Sequence, residues 1–478
     1  MELIENKLCN LNKFMLRFSL HRINPLKLLI LFFLGIYLTA CSDFIEADPP
    51  KNILISETVF NDPSTVESAL ANIYYNMREQ GMISGNFGLT PLLGIYGDEL
   101  DYYGFNADYA ELYFNNVNAT NTTILNWWSQ AYNLIYNAND IIKGVEGSSG
   151  LTAEEKSYFK GQALFVRGYI HSLLVNLYGD IPYIKTTNYI ENNSVSRLPL
   201  AEVNVNIIED LVMAIELLEN EGDASEEKVL PGQSAAKALL ARMYLYNENW
   251  GLAESTASQL INNYNLEPNL NDVFLKESSE TIWQLKPGIT PKNTQEAVQL
   301  IIQFIPGQRY ALTNSLLAAF ESGDQRLTQW TESISNTENT ITLFFAHKYK
   351  ANLTETERLE YSIIFRLAEQ YLIRAEARAH LGNILGSQQD VNVIRNRAGL
   401  ENTTANTVNN LLDAILKERQ VELFTEQGHR WFDLKRTDNA NNVLSIVKPY
   451  WQATDILLPI PETELEINPN LLPQNSGY

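Results

Sequence analysis

Glu418, Glu422 and Glu426 recur every fourth residue, with Arg419 and Arg430 close by. Side chains four apart line one face of a helix. Such a row of carboxylates could do general acid–base work, but like charges at this spacing repel unless they are neutralised. The stretch 418–436 is therefore read as a structural ion network pinning the last helices to the body, with Arg419 and Arg430 as the candidate neutralising groups. Arg374 with Glu376, and Arg395 with Arg397, are assigned to the same architecture. The histidines beyond the leader, His171, His347, His380 and His429, are scattered and show no HExxH spacing or cysteine partner. No nucleophile elbow, phosphate loop, dinucleotide fingerprint or EF-hand loop is present. No catalytic residue, metal site or cofactor is expected.

A second chemistry needs no reaction. Flat aromatic faces stack on sugar rings, and neighbouring amides and guanidinium groups bond to hydroxyls. Two stretches outside the clear helical patterns offer this set. One holds Tyr102, Tyr103, Phe105, Asn106 and Tyr109, with Tyr113 beyond; the other holds Phe304, Arg309, Tyr310 and Trp330. Trp127, Trp128, Trp283 and Trp431 fall in helix or strand patterns and are assigned to the core.

The elements that must position these groups are mostly helical. Helices are expected over residues 65–78, 124–143, 153–178, 202–218 and 407–426. Thr152 and Glu155 form a capping box for the third, and Gly179 to Pro182 closes it. Over 234–261, Ala235, Ala238, Leu239, Met243 and Tyr246 share one face of a first helix, and Ala253, Ala257, Leu260 and Ile261 one face of a second. Ala241, Tyr244, Ala253, Ala257 and Leu260 sit at the interlocking offsets of a tetratricopeptide pair, and Ala375, Ser387, Val391 and Ile394 repeat them loosely. Residues 267–357 break the pattern and read as a loop-rich insertion with strands at 280–286 and 342–350. The tail Leu457-Leu458-Pro459-Ile460-Pro461 must be extended.

Composition narrows the class. The chain has 478 residues, 45% hydrophobic and 19% charged, with net charge −22. It is a folded protein, and its charge repels phosphate backbones, so no nucleic-acid partner is expected. Lys13, Arg17, Arg22 and Lys27 precede an apolar run ending in Leu38-Thr39-Ala40-Cys41. The run is shorter than the ~20 residues a spanning helix needs, so residues 1–40 read as a signal peptide. Its end resembles a bacterial lipobox, which makes Cys41 the lipidation site and the membrane anchor. Cys9 lies in the leader, so the exported chain has no disulfide and must rely on a large core. Losing the five basic and two acidic residues of 1–40 takes the charge from −22 to −25.

Several motifs then stand in order. Ala163-Leu164-Phe165-Val166-Arg167-Gly168-Tyr169 leads to Leu177-Tyr178-Gly179-Asp180-Ile181-Pro182; Ala235 to Tyr246 is rich in alanine and leucine. Leu367-Ala368-Glu369-Gln370-Tyr371-Leu372-Ile373-Arg374-Ala375-Glu376-Ala377 is followed by Val393-Ile394-Arg395-Asn396-Arg397-Ala398-Gly399. Glu418 to Glu426 leads into Arg430-Trp431-Phe432-Asp433-Leu434-Lys435-Arg436, and the chain closes with Leu458 to Pro461 and Asn468 to Tyr478. Together these resemble the SusD/RagB family of outer-membrane lipoproteins, from the lipobox to the last residue. The departures are minor, Gln427-Gly428-His429 before Arg430 and Ser476 in place of a common proline.

The resemblance implies an all-α-dominated fold of tetratricopeptide-like pairs with an inserted loop region. Residues 1–40 would be the leader, 41–266 the N-terminal helical region, 267–357 the insertion and 358–478 the C-terminal helical region and tail. It also implies a non-enzymatic, surface-exposed lipoprotein that holds glycans for a SusC-like TonB-dependent transporter, with its sugar site built from loops of the N-terminal part and the insertion. Tyr102, Tyr103, Phe105, Asn106, Tyr109, Arg309, Tyr310 and Trp330 are the candidate ligand-binding residues. The alternatives are an all-helical glycoside hydrolase, which needs two facing carboxylates, and a helical-repeat lipoprotein that binds peptides or proteins.

Overall fold

Helix α1 (Pro63–Glu79) begins where the Asp62 side chain accepts a hydrogen bond from the Ser64 N–H and Pro63 takes the first turn, a position that needs no backbone donor. The computed structural model describes residues 59–219 and 227–478. Cys41 and the leader lie outside the described residues. After α1 come α2 (Leu89–Tyr96), β1 (Leu100–Tyr102) and α3 (Ala107–Phe114). Two long helices follow, α4 (Thr122–Gly147) and α5 (Ala153–Tyr178), then α6 (Leu200–Leu217), α7 (Gln233–Tyr246) and α8 (Trp250–Ile261). The insertion contributes β2 (Thr281–Leu285), β3 (Tyr310–Leu312), β4 (Thr331–Ser335) and β5 (Thr342–Ala346). The chain then re-enters the helical body through β6 (Ser362–Arg366), α9 (Leu367–His380), α10 (Ile384–Arg397), α11 (Val408–Glu422) and α12 (His429–Arg436).

The helices pack one on the next from α4 to α8, and α8 then packs on α9, although about a hundred residues separate them in sequence. The insertion thus leaves the stack and returns to the same place. Small residues make this possible. Ala253 and Ala257 of α8 and Ala377 of α9 are fully buried in one core, and Ala375 and Ala379 face α10 and α11, which lets helix axes approach closely. Ser387 of α10 donates to the Ala375 carbonyl at 2.8 Å, fixing the next pair. Paired charges brace the same contacts. Arg167 of α5 forks onto Asp210 of α6 at 2.7 and 2.6 Å, and Arg242 of α7 onto Glu369 of α9 at 2.6 and 2.8 Å.

Most expected elements are present. The capping box of Thr152 and Glu155 opens α5. Gly179 ends it at φ +75°, and the tail then runs back along it, with the Leu458 N–H bonded to the Leu177 carbonyl at 2.9 Å. Trp127, Trp128, Trp283 and Trp431 are buried. One expectation is corrected. The helix expected over 407–426 stops at Glu422, because Thr425 (φ +50°), Gln427 (φ +47°) and Gly428 (φ +74°) take left-handed backbone. Gly428 is required there, since a Cβ would fall 2.3 Å from Cδ1 of Leu93 on α2.

Among the described residues the sheets are two-stranded and antiparallel: β1 with β3, β2 with β6, and β4 with β5. Two of them tie the insertion to flanking chain, so strand pairing fixes its loops against the N-terminal part on one side and the entry to α9 on the other. Ser56–Tyr478 is one compact unit with a continuous core. Among the described residues no helix is long and apolar enough to cross a membrane.

Candidate functional site

Pairing of β1 with β3 brings together the two aromatic stretches singled out in the sequence. Tyr102 lies opposite Tyr310, Asp101 opposite Ala311 and Leu100 opposite Leu312. The Tyr103 N–H extends the ladder to the Arg309 carbonyl at 2.9 Å. The turn that follows is held by the Tyr102 hydroxyl, which accepts from the Asn106 N–H at 2.9 Å, while Oδ1 of Asn106 caps α3 through the Tyr109 N–H at 3.0 Å. Gly104 is required at this turn, because a Cβ would meet the Tyr102 ring at 2.5–2.7 Å.

The result is an aromatic mound with an exposed crest and a buried base. Phe105 stands fully in solvent at the tip, Phe304 is 61% exposed and Tyr103 39%. Asn106 and Arg309 lie exposed among them. Tyr102 sits at the centre of the base, its ring 5.8 Å from Tyr310, 6.2 Å from Tyr109 and 6.4 Å from Tyr113. Burial raises the phenols of Tyr103, Tyr109 and Tyr113, the last to about 12, so all stay neutral at physiological pH. The surface offers neutral ring faces, a guanidinium and an amide, a set suited to a hydroxylated ligand with apolar faces.

Three of the expected ligand-binding residues are not at the surface. Trp330 is fully buried: its ring packs edge-on to Phe274 at 5.5 Å, its Nε1 donates to the Leu270 carbonyl at 2.8 Å, and the Lys348 ammonium lies 4.9 Å from its centroid. Tyr310 is 1% exposed beneath Tyr102. Tyr109 is also largely buried, with its hydroxyl donating to the Asn86 carbonyl at 2.9 Å. Tyr310 and Tyr109 support the mound from below through Tyr102, whereas Trp330 belongs to the buried ion network and not to the mound. Conversely, the sequence reading missed Phe114 and Tyr450. Both are exposed and meet edge-on at 5.8 Å, and Phe114 continues the aromatic run 5.1 Å from Tyr113. Phe114 had a legible signal as the neighbour of Tyr113 on α3; Tyr450, from the distant tail, had none.

Buried charge anchors the mound. Arg430 of α12 forks onto Asp98 at 2.8 and 2.7 Å, and Oε1 of Glu99 accepts from the Thr425 N–H at 3.1 Å. Burial and the adjacent Asp98 raise Glu99 to about 8, so it is a neutral acid at physiological pH. The Lys448 ammonium donates to the Ile95 and Tyr113 carbonyls at 2.6 and 3.1 Å and lies 4.2 Å from the Tyr113 ring centroid.

The glutamate row is a buried ion network, as expected, but its partners are not those suggested by sequence proximity. Arg419 pairs with Asp433 at 2.7 Å and Arg430 with Asp98. Glu418 and Glu422 are instead neutralised by Arg326 at 2.6 and 2.9 Å. Glu422 also binds Arg366 at 2.6 Å and Arg397, while Glu426 takes Arg366 at 2.7 Å and Lys348 at 2.5 Å. Arg366 and Arg397 share Glu280 as well, at 2.9 and 2.5 Å. Burial would raise the Glu422 carboxyl, but Arg397, Arg366 and Arg326 outweigh it and hold it far below the carboxylate range. These groups are buried and paired with one another, so they join the insertion to α9, α10 and α11. Arg374 belongs to the same bracing through Asp390 at 2.7 Å, and Glu376 through Arg436 at 2.5 Å. Among the described residues no group of three or more His, Cys, Asp or Glu is placed to hold a metal ion.

Comparison with known proteins follows the same lines. Residues 43–245 match a family described as starch-binding and associating with the outer membrane, and residues 309–478 match the SusD family. SusD-like protein P2 of Formosa agariphila is 29% identical over 92% of this chain and 97% of its own. A SusD superfamily structure from Bacteroides vulgatus superposes with a TM-score of 0.78 at 21% identity, covering 88% of this chain and 100% of its own. A laminarin-binding SusD-like protein gives 0.73 at 24% identity over 87% and 99%.

Proposed function

The chain belongs to the SusD/RagB family, and from that premise we propose that it is a non-enzymatic, surface-exposed lipoprotein that captures a glycan on the β1–β3 aromatic mound. One observation carries this reading: two stretches about two hundred residues apart are paired strand to strand, so that exposed Tyr103, Phe105 and Asn106 stand on the strand and turn that face Arg309, with Phe304 exposed on the chain leading to it. Exposed large aromatics cost solubility and are retained where they bind. The crest is convex and open, which suits the side of a polymer chain. Capture then proceeds by stacking and hydrogen bonding, and no bond is broken. A hydrolase would need two accessible carboxylates facing one substrate; the acids beneath the mound, Asp98 and Glu99, are buried, and Asp98 is held by Arg430. In this proposal Cys41 carries the lipid that anchors the protein to the outer membrane. A SusC-like TonB-dependent transporter receives the glycan, and tethering beside it supplies the effective concentration that a modest single-site affinity lacks.

The test is affinity electrophoresis of the chain from residue 42 through gels containing laminarin, starch and anionic polysaccharides, followed by a reducing-end assay. Retardation by at least one glycan without new reducing ends is expected. Phe105→Ala and Phe304→Ala should each weaken it about tenfold, or ~1.4 kcal/mol, whereas Trp330→Phe, deep in the core, should leave affinity unchanged. New reducing ends, or retardation indifferent to both phenylalanines, would reject the reading.

A further inference from the structure

A concave aromatic pocket lies apart from the mound and shares none of its residues. It is framed by α4, by the loop that carries the short helix Tyr189–Asn192, and by the tail helix Glu462–Ile467, and it encloses about 360 Å³. That is the lower part of the ~300–1,000 Å³ range of small-ligand sites. Its floor is rigid. Trp128 is buried edge-on against Tyr178 at 5.1 Å, and Tyr132 lies 5.0 Å from it with its hydroxyl donating to the Pro182 carbonyl at 2.9 Å. Its rim is bare: Tyr136, one helical turn beyond Tyr132, is 45% exposed, and Tyr189 is 69% exposed. Glu464 also lines the pocket, part-buried beside Trp128 and Ser129; burial raises its carboxyl, those two side chains oppose the rise, and its oxygens can accept from further donors. Asn192 contributes an amide beside it, itself pinned by donation to the Thr186 carbonyl at 2.9 Å.

We infer that this pocket is a second saccharide site, which takes a single neutral hexose unit or the end of a chain. The ligand class rests on the glycan-capture reading above; the location and the preference come from the pocket itself. Ring faces ask for a ligand with apolar C–H surface, and a carboxylate among them asks for hydroxyl donors. The same carboxylate disfavours uronates and sulfated sugars, which repel it at close range. Concavity distinguishes this site from the mound: a half-open pocket of about 360 Å³ holds one ring or a terminus, whereas exposed aromatics outside a pocket meet a chain from the side. Two such sites on one molecule would hold a polymer at its side and a branch or end at once.

Saturation-transfer difference NMR on Ser56–Tyr478, a compact unit with its own core, tests this with the methyl glycosides of glucose, galactose and mannose and with methyl glucuronide. Transfer to at least one neutral glycoside should persist in a Tyr103→Ala/Phe105→Ala/Phe304→Ala variant and fall at least fivefold in Tyr136→Ala/Tyr189→Ala. Tyr189→Ala alone, on an exposed loop that cannot unsettle the core, should lower it at least twofold. Methyl glucuronide should give no transfer that depends on Tyr136 or Tyr189. Absence of transfer from every neutral glycoside, transfer lost only with the mound variant, or preference for the glucuronide would each overturn the inference. Polysaccharide retardation that depends on Phe105 while the pocket variants change nothing would sink the pocket and leave the mound standing. Pocket-dependent transfer without any retardation would do the reverse.

Discussion

Replacing Arg366 by Met removes a buried charge and keeps most of the side-chain length. In the wild type this guanidinium is 2% exposed and binds Glu280, Glu422 and Glu426 at 2.9, 2.6 and 2.7 Å. Arg326 also serves Asp324 and Glu418, so the variant leaves five buried carboxylates with Arg326, Arg397, Lys348 and, at the edge, Arg395, an excess of buried negative charge. Breaking a buried ion pair by deleting one partner costs about 3–5 kcal/mol, and that is the expected loss at pH 7.5 in urea unfolding followed by tryptophan fluorescence. The pH dependence is the sharper part. Burial raises Glu422 and Glu426, but their cationic partners outweigh it and depress both carboxyls in the fold. A depressed carboxyl contributes stability that is present above its unfolded pKa and lost as pH falls through the folded one. Without Arg366 that depression shrinks, and a proton can replace the missing charge. The deficit of the variant should therefore be constant above the unfolded value of 4.5 and narrow by at least ~1 kcal/mol, about one unit of relative pKa, between pH 4.5 and pH 3. Adding Glu426→Gln should recover part of the loss at pH 7.5. The folded variant should still be retarded by glycan. A deficit under ~1 kcal/mol, or one that does not change with pH, would refute the bracing role.

Two further outcomes follow from the anchors of the mound. Glu99 is raised from 4.5 to about 8, first by burial and then by Asp98, so its stabilising protonated form is fully favoured below 4.5 and lost as pH rises through 8. Glu99→Gln keeps an acceptor for the Thr425 N–H and cannot ionise; its stability relative to wild type should climb by up to ~1.4 kcal/mol per pH unit across that window, and a flat difference from pH 5 to 8.5 would count against a neutral Glu99. Gly428→Ala forces a side chain into left-handed backbone, which costs ~1–2 kcal/mol, and drives its Cβ toward Leu93. Its melting temperature should drop by several degrees, and an unchanged melt would show that the turn before α12 is not constrained as described.

Much of the helical body was legible because its signals are local. The capping box of Thr152, the alanine faces of α7 and α8 and the break after Tyr178 each act within a few residues of the chain. Pairings across long sequence distances were not. Arg419 stood next to the glutamate row yet binds Asp433, and the true partners of the row, Arg326 and Arg366, are 92 and 56 residues away from Glu418 and Glu422. Trp330 read as a loop aromatic because its surroundings are polar in sequence; in space cations from further along the chain, Lys348, Arg397 and Arg366, cover its ring at 4.9, 5.8 and 5.9 Å.

The motifs that carry the family resemblance prove to be struts. Arg167 binds Asp210, Arg242 binds Glu369, Arg374 binds Asp390, Arg430 binds Asp98 and Arg436 binds Glu376, each pair joining two separate parts of the chain. Not one of these charges stands on the exposed crest of the mound. A buried ion pair tolerates no change in either partner without a large penalty, so such positions keep a readable pattern. Phe105 and Phe304 touch little of their own fold, and many side chains would be accommodated there without disturbing it. The same physics that makes the scaffold recognisable therefore leaves the ligand unspecified. Arg430 connects the two regimes: as a motif residue it is predictable, and through Asp98 it holds the strand from which the variable crest projects. A change of glycan preference can then proceed by substitution at the crest and at the rim of the Tyr136–Tyr189 pocket, with every strut intact.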